Sequence, residues 1–434
     1  MDQLQEIGKK FINHEKKLYI VGGFCREKIL GIKKYQTDID LCSDATPEEI
    51  QKITTCIGHI GKKYGTVLIS SGKEKYELTT FRKDIGILDN RKPVNVEFTT
   101  DLHEDALRRD FTCNAIYIDP LTQEYIDPVG GIRDIQNKII RFIGSSQDRI
   151  TEDALRILRF IRIKNKYNFQ IAEKNYFEIL KNNISLLKNI SKERIKDELD
   201  KILLDPNNIQ ALKDLKEIGF FTLFLTEIEK QSQTPGSKYH QEGNVWVHTL
   251  MTLEYLNSMD LSGKNKTEKL DLYWAMFLHD IAKPICYSCD SDGNGHYYGH
   301  ERSGSEIFKQ KISQELPFSK KSQKKITWII ENHLRIFKVF EMKKLKARKL
   351  MTHPYWEELM IIGEADHMGR IPASFSLITQ LYDFYNNFLK IFGEKKFYTG
   401  QDIMKLYPNL QGKQVGDKLQ VMNDEILQND LQKK

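Results

Sequence analysis

A change of texture near residue 146 constrains this chain more than any single motif. Upstream, residues 17–135 alternate short β-rich runs (KLYIVGG, TDIDLCS, GTVLISS, KYELTTFR and NAIYID) with helical stretches, the pattern of a mixed α/β domain of about five strands. Downstream, ITEDALRILRFIRIKNKYNF, EIGFFTLFLTEIEKQ and most of the remaining sequence place apolar residues at helical spacing with few β-runs. The expected class is α+β: a sheet-and-helix head followed by an all-helical remainder. SQTPGSKYH (232–240) holds Pro and Gly and marks a boundary. The domains expected are a head at 1–145, a helical neck and body at 146–230, a second all-α domain at 231–370 and a helical tail at 371–434.

With 434 residues the chain is too long for one core, and 40% apolar with 10% aromatic content is that of a globular protein. The net charge of +6 permits a polyanionic partner without requiring one, and the 308–350 region is its most basic part. No apolar run reaches the roughly 18 residues of a membrane span, and MDQLQEIGKKFINHEKK reads as a short amphipathic helix rather than a secretory leader. Six scattered cysteines fit reduced thiols and a cytoplasmic location. Cys286 and Cys289 form a lone CxxC, a weak sign of zinc or redox chemistry without a second pair.

Two constellations carry chemistry. In YIVGGFCREKILG a strand runs into Gly22-Gly23 and then a helix, a turn that lets a ligand approach the backbone, with Arg26 in the first turn. Twelve residues later comes TDIDL. In a strand Asp38 and Asp40 share a face, and two crowded carboxylates repel unless a divalent cation lies between them. Mg²⁺ suits such a pair, and Glu77 in KYELTTFR adds a third carboxylate from a later strand.

VGGFCREKILG…TDIDL resembles the signature of polymerase-β-like nucleotidyltransferases, in the group of bacterial-type (class II) tRNA nucleotidyltransferases and poly(A) polymerases. RRDFTCNAIYID, DPVGGIRDIQNKIIRFIG, RITEDALRILRFIRI and SKERIKDEL continue the resemblance over residues 19–200. It implies that Asp38, Asp40 and Glu77 are catalytic, the two aspartates holding Mg²⁺. It implies further that Gly22, Gly23, Arg26, Asp105, Arg108 and Arg109 contact the nucleotide, and that Asp153 and Arg156 read cytosine and then adenine with no nucleic-acid template. Spaced i and i+3, Asp153 and Arg156 would share one helix face, with Arg159 and Arg162 extending it and holding phosphate, Arg159 as a further nucleotide contact. DPVGGIRD reads as a hinge.

GKKYGTVLIS (61–70) and a polar loop at roughly 84–94 are in the style of the CCA-adding branch. The resemblance therefore implies addition of C, C and A from CTP and ATP to the tRNA 3′ end. CC-only addition, A-only addition and poly(A) synthesis stay open, as does a phosphohydrolase with a regulatory nucleotide-binding head. Oligomeric state is not legible.

The second constellation is His248, His279-Asp280, His300, His333 and Asp366, donors suited to a divalent transition ion such as Mn, Fe, Ni, Co or Zn. The order H…HD…H…H…D, with LHDIAKP at its centre, resembles the HD phosphohydrolase domain. That implies metal-assisted phosphoester hydrolysis, with His248, His279, Asp280 and Asp366 on one metal, His300 and His333 on a second, and Lys283 orienting phosphate. CDSDGNGHYYGHE (289–301) matches a calcium-loop spacing. Without an entering helix or a second hand, it reads better as a hairpin turn that delivers His300.

Overall fold

The structure, a computed structural model, describes residues 2–33, 38–61, 64–88, 92–236, 241–292, 294–392 and 397–428. It divides into two compact units, Met1–Phe224 and Leu225–Lys434.

The first unit is built on a sheet. Its strands are β1 (Leu18–Val21), β2 (Asp40–Ser43), β3 (Cys56–Gly61), β4 (Thr66–Ser71), β5 (Glu74–Thr80), β8 (Tyr117–Ile118) and β9 (Tyr125–Ile126), in the order β3-β4-β5-β2-β1-β8-β9. Neighbours are antiparallel except β2 and β5, which run parallel. The described sheet thus has seven strands where about five were expected; β3 and the two-residue β9 carry too little β-branched pattern to stand out. Alternation along β5 buries Tyr76, Leu78 and Thr80 and leaves Glu77 exposed. Tyr19, Phe81 and Tyr117 pack together in the core with ring centroids 6.2–6.4 Å apart.

Two further readings are corrected. The segment read as a loop at 84–94 is mostly an antiparallel hairpin, β6 (Arg82–Leu88) with β7 (Lys92–Phe98), outside the sheet. Its tip, 89–91, lies outside the described residues, as do Lys62 and Lys63 of the GKKYGTV run. Asp38 is not in a strand either: β1 pairs Val21 with Asp40, and two residues on Asp38 would face Gly23, already in the helix Gly23–Ile29, so the ladder ends at Asp40.

DPVGGIRD forms a buckle. Gly130 takes φ +78°, Asp127 accepts the N–H groups of Gly131 and Ile132 (2.7 and 2.9 Å), and Asp134 accepts from the Thr112 hydroxyl at 2.7 Å. A side chain on Gly131 would collide with the Thr112 carbonyl. Phe111, Phe142, Phe160 and Tyr176 then stack the head onto the following helices, with Phe111–Phe142 and Phe142–Phe160 centroids 4.9 and 5.3 Å apart. Each such pair adds about 0.5–1.5 kcal/mol beyond the area it buries.

Among the described residues the second unit is helical apart from one small hairpin, β12 (Ser288–Cys289) with β13 (Gly295–His296); β10 (Ile139–Ile140) and β11 (Gln170–Ile171) are a short parallel pair in the first unit. Helices Val245–Ser258, Lys266–Leu278, His300–Ile307, Lys320–Asn332 and Trp356–Met368 pack as a bundle. Asn244 caps the first by accepting Val247 N–H at 3.0 Å, and Asn265 with Glu268 makes a capping box on the second. Helices Phe375–Phe392, Gly400–Leu406 and Lys413–Gln428 complete the unit. Among the described residues no helix is long and apolar enough to cross a membrane.

Candidate functional site

The carboxylates of the first unit meet at the open end of β2. Register sets Asp40 opposite Val21 on one side and opposite Glu77 on the other. Gly22, at φ +83°, turns the chain away here; a Cβ on it would lie 3.5 Å from Asp40 Oδ2. Asp38, Asp40 and Glu77 are all exposed. Although accessible, the Asp40 carboxyl is flanked by protein. That desolvation, Glu77 and Asp38 push its pKa up to about 6, against the pull of Arg109 and Arg159. Crowded carboxylates with one held towards its neutral form are what a divalent cation relieves, so the donor set fits Mg²⁺.

The neighbouring charges are mostly committed to one another. Asp105, fully buried, accepts from Arg108 (2.6 and 2.9 Å), from Arg109 (2.9 and 3.2 Å) and from the Tyr117 hydroxyl at 2.9 Å. Burial alone would raise its pKa, but the two arginines hold it well below the carboxylate range. Asp105 therefore orients the arginines from behind. Arg26 is likewise buried: it donates to Asn114 Oδ1 and to the Tyr167 hydroxyl (3.1 Å), and its guanidinium lies 4.5 Å over the Tyr167 ring. Asn114 Nδ2 donates to Asp110 at 2.8 Å, and Asp110 holds Arg159 at 2.6 Å. One chain of polar contacts thus runs Arg26–Asn114–Asp110–Arg159.

Asp153 and Arg156 do not share a helix. Helix Ser146–Glu152 ends at Asp153, and the next helix is Arg156–Lys166. Asp153 accepts the Leu155 N–H at 3.1 Å, the self-capping by which aspartate interrupts helices. Its carboxylate pairs with Arg194 at 2.7 Å, while Arg156 bonds Glu152 (2.7 Å) and the Arg149 and Arg108 carbonyls (2.8 and 2.9 Å). Arg162 turns to Glu198 at 2.6 Å. Arg194 was missed as a partner; it lies in SKERIKDEL, whose role the sequence left unassigned.

In the second unit all six predicted donors converge. Asp366 Oδ1 lies 3.0 Å from His248 Nε2 and 3.6 Å from His279 Nε2. Asp280 Oδ2 lies 3.1 Å from His279 Nε2 and 3.5 Å from His248 Nε2. The other oxygen of Asp280 faces a second group: His300 Nε2 at 3.2 Å and His333 Nε2 at 3.8 Å. His248, His279 and Asp280 form one potential metal cluster, and Asp280, His300 and His333 another. All six are buried.

This donor set fits cations on two counts. Both Asp280 oxygens and His279 Nε2 are buried without a directed hydrogen bond among the described residues. His300 and His333 each turn Nδ1 to a backbone carbonyl at 2.7 Å, so their Nε2 atoms both aim inward, 3.2 Å apart, as two donors set for one ion. Burial and the neighbouring His300 and His279 push His333 down to about 3, which keeps it neutral as a ligand. Burial opposes charge on His279, but Asp280 and Asp366 raise it to about 10. Lys283 Nζ sits 2.6 Å from Asp280 Oδ2, standing where a cation would.

The 289–301 stretch is a hairpin. Asp290 Oδ1 accepts the N–H groups of Asp292 and Asn294 (3.0 and 2.8 Å), β13 returns, and His300 opens the next helix; Gly293 lies outside the described residues. KPICYSC, leading into the hairpin, begins with a helical turn, Lys283–Cys286.

Sheet head, helical neck and a histidine–aspartate helical bundle define a nucleotidyltransferase-type head joined to an HD-type metal domain. Family models agree: the poly A polymerase head domain matches residues 18–141, the probable RNA and SrmB-binding site of polymerase A 168–231, and the HD domain 245–369. A CCA-adding enzyme of Staphylococcus haemolyticus is 34% identical over 273 residues, 62% of this chain and 67% of that protein. One of Staphylococcus aureus (strain MRSA252) is 37% identical over 270 residues, 62% of this chain but only 59% of the relative's length. The chain belongs to the class II CCA-adding enzyme and poly(A) polymerase family, with an HD domain. The fold is that of the Bacillus stearothermophilus CCA-adding enzyme solved with CTP (TM-score 0.68, 22% identity, 99% of this chain and 93% of that one). It is also that of the Thermotoga maritima CCA-adding enzyme solved with tRNA (TM-score 0.59, 18% identity, 100% and 91%).

Proposed function

We propose that this chain is a CCA-adding tRNA nucleotidyltransferase acting in the cytoplasm, with CTP, ATP and the tRNA 3′ end as substrates. The observation that carries the reading is Asp40 beside Glu77 and the Gly22 turn, in a chain of this family. Asp38 and Asp40 would hold Mg²⁺, which supplies charge neutralisation to the triphosphate. The tRNA 3′-hydroxyl gives its proton to the Asp38–Asp40 carboxylates as its oxygen attacks the α-phosphorus; the bond from the α-phosphorus to the oxygen it shares with the β-phosphate breaks, and pyrophosphate leaves. Arg108 and Arg109, held by Asp105, steady phosphates, while Arg26 and Arg159 keep the Gly turn and the neck helix in register.

Selection of the base by Asp153 and Arg156 requires an exchange. Both side chains are already paired, with Arg194 and with Glu152, so an entering base trades these pairs for its own edge. The test supplies CTP and ATP separately to tRNA ending in the discriminator base, in -C, or in -CC. CCA-adding, CC-only, A-only and poly(A) activity give different product ladders; no extension by the parent would overturn the proposal.

The bridging Asp280 carboxylate favours a second activity, hydrolysis of a phosphoester such as 2′,3′-cyclic AMP. His248, His279, Asp280 and Asp366 would hold one transition-metal ion, and His300 and His333 with Asp280 a second; these supply Lewis acidity. Lys283, released from Asp280, would bind phosphate. Absence of hydrolysis with Mn, Ni or Co, or hydrolysis that survives His279→Ala, would sink this reading.

A further inference from the structure

The four histidines of the HD cluster are not braced alike. His279, His300 and His333 lie at helix ends, and each turns Nδ1 back to the carbonyl three residues before it: Met276, Tyr297 and Ile330, all at 2.7 Å. His248 lies inside the helix Val245–Ser258, where that option is closed. The Val245 carbonyl takes the Thr249 hydroxyl at 3.0 Å, and the Asn244 carbonyl takes the His248 N–H at 3.2 Å. Its Nδ1 meets a carboxylate instead, Glu242 Oε1 at 2.8 Å, with both side chains almost fully buried.

Glu242 is itself fixed from the far side of the cluster. Its other oxygen accepts the Ile371 N–H at 2.9 Å, and Gln241 N–H donates to the Ile371 carbonyl at 2.9 Å. Ile371 follows the helix that carries Asp366. The segment before His248 is therefore tied to the segment after Asp366, two donors 118 residues apart that meet at 3.0 Å. With an ion between His248 and Asp366, a carboxylate on Nδ1 would keep the proton there and leave the Nε2 lone pair for the ion, as a carbonyl does. It adds a full negative charge that makes the imidazole a stronger donor.

From this we propose that Glu242 is a positioning residue of the HD site, and that it makes the His248–His279–Asp280–Asp366 subsite bind metal more tightly than the Asp280–His300–His333 subsite. The inference rests on reading the cluster as a metal site. It assigns the two positions different tasks: one ion retained, the other exchangeable.

Titration of the metal-stripped full chain with Co²⁺, followed by visible absorption, tests it. The parent should fill in two phases, and His333→Ala should remove only the weaker. Glu242→Ala should weaken the tighter phase about 10–100-fold and leave the weaker unmoved. Glu242→Gln keeps an acceptor for Nδ1–H, but its amide NH₂ then opposes the Ile371 N–H, so its loss should fall between parent and alanine. A single phase in the parent would overturn the inference, as would equal weakening of both phases. So would Glu242 variants that bind like the parent while His279→Ala abolishes the tighter phase. If His279→Ala also titrates like the parent, the metal-site reading itself fails.

Discussion

In the first unit the acidic groups that meet, Asp38, Asp40 and Glu77, are exposed at a strand end; in the second, Asp280 and Asp366 are buried among four histidines. An open set of two or three carboxylates leaves most of an ion's coordination to water and phosphate, so a metal there would come and go with the nucleotide. A closed set of four imidazoles and two carboxylates would retain a borderline ion without help from substrate, the imidazoles giving up their inward protons to it. On the proposed reading, similar acidic side chains would make a transient site in one place and a resident one in the other, and burial with histidine partners is what differs.

The largest effect that could break this comparison is functional. Asp40→Ala should lower nucleotide addition at least about 1,000-fold, as loss of charge neutralisation does in phosphoryl transfer, and leave Co²⁺ binding by the HD cluster intact. Product ladders and the Co²⁺ titration check both halves; loss of Co²⁺ binding would mean that the sites are not independent.

Next comes stability. Asp105 in the first unit is as buried as Asp280, so the contrast concerns particular sites rather than whole units. Asp105→Ala should cost about 3–5 kcal/mol in urea unfolding by leaving Arg108 and Arg109 uncompensated. Its folded pKa is lowered, so the stability it gives is present above its ordinary value near 4 and lost as pH falls below that. A flat acid limb in the parent would contradict the clamp.

The smallest effect has the opposite sign. The Asp40 pKa is raised to about 6, so the benefit of its neutral form is full below about pH 4 and lost as pH rises through about 6. Asp40→Asn should therefore raise Tm by a few degrees without Mg²⁺ while abolishing activity. The Mg²⁺-induced rise in the parent's Tm should be larger near pH 7 than near pH 5. Equal shifts at both pH values would mean that the carboxylates are not in conflict.

Much of this was legible because it is local or carried by residue type. The Gly turn, the D-x-D, the helical second unit and the H…HD…H…H…D series needed only spacing, and the hairpin that presents His300 came from DGNG. What escaped depends on contacts between distant residues. Asp105, which the resemblance sets against the nucleotide, turns inward, where Arg108, Arg109 and Tyr117 close around it. Asp153 looks like one helix with Arg156 until its own carboxylate caps the break and Arg194, 41 residues on, takes it. Glu242 is a single acid in the polar run HQEGN, meaningful only once Ile371 and His248 meet on it.

The most direct measurement strips the full chain of metal, adds Mg²⁺ alone, and monitors tRNA lacking its 3′ end with CTP and ATP. The tRNA should gain C, C and A and then stop, while 2′,3′-cyclic AMP stays intact until Mn, Ni or Co is added. No extension, or extension that Asp40→Ala supports equally well, would contradict it.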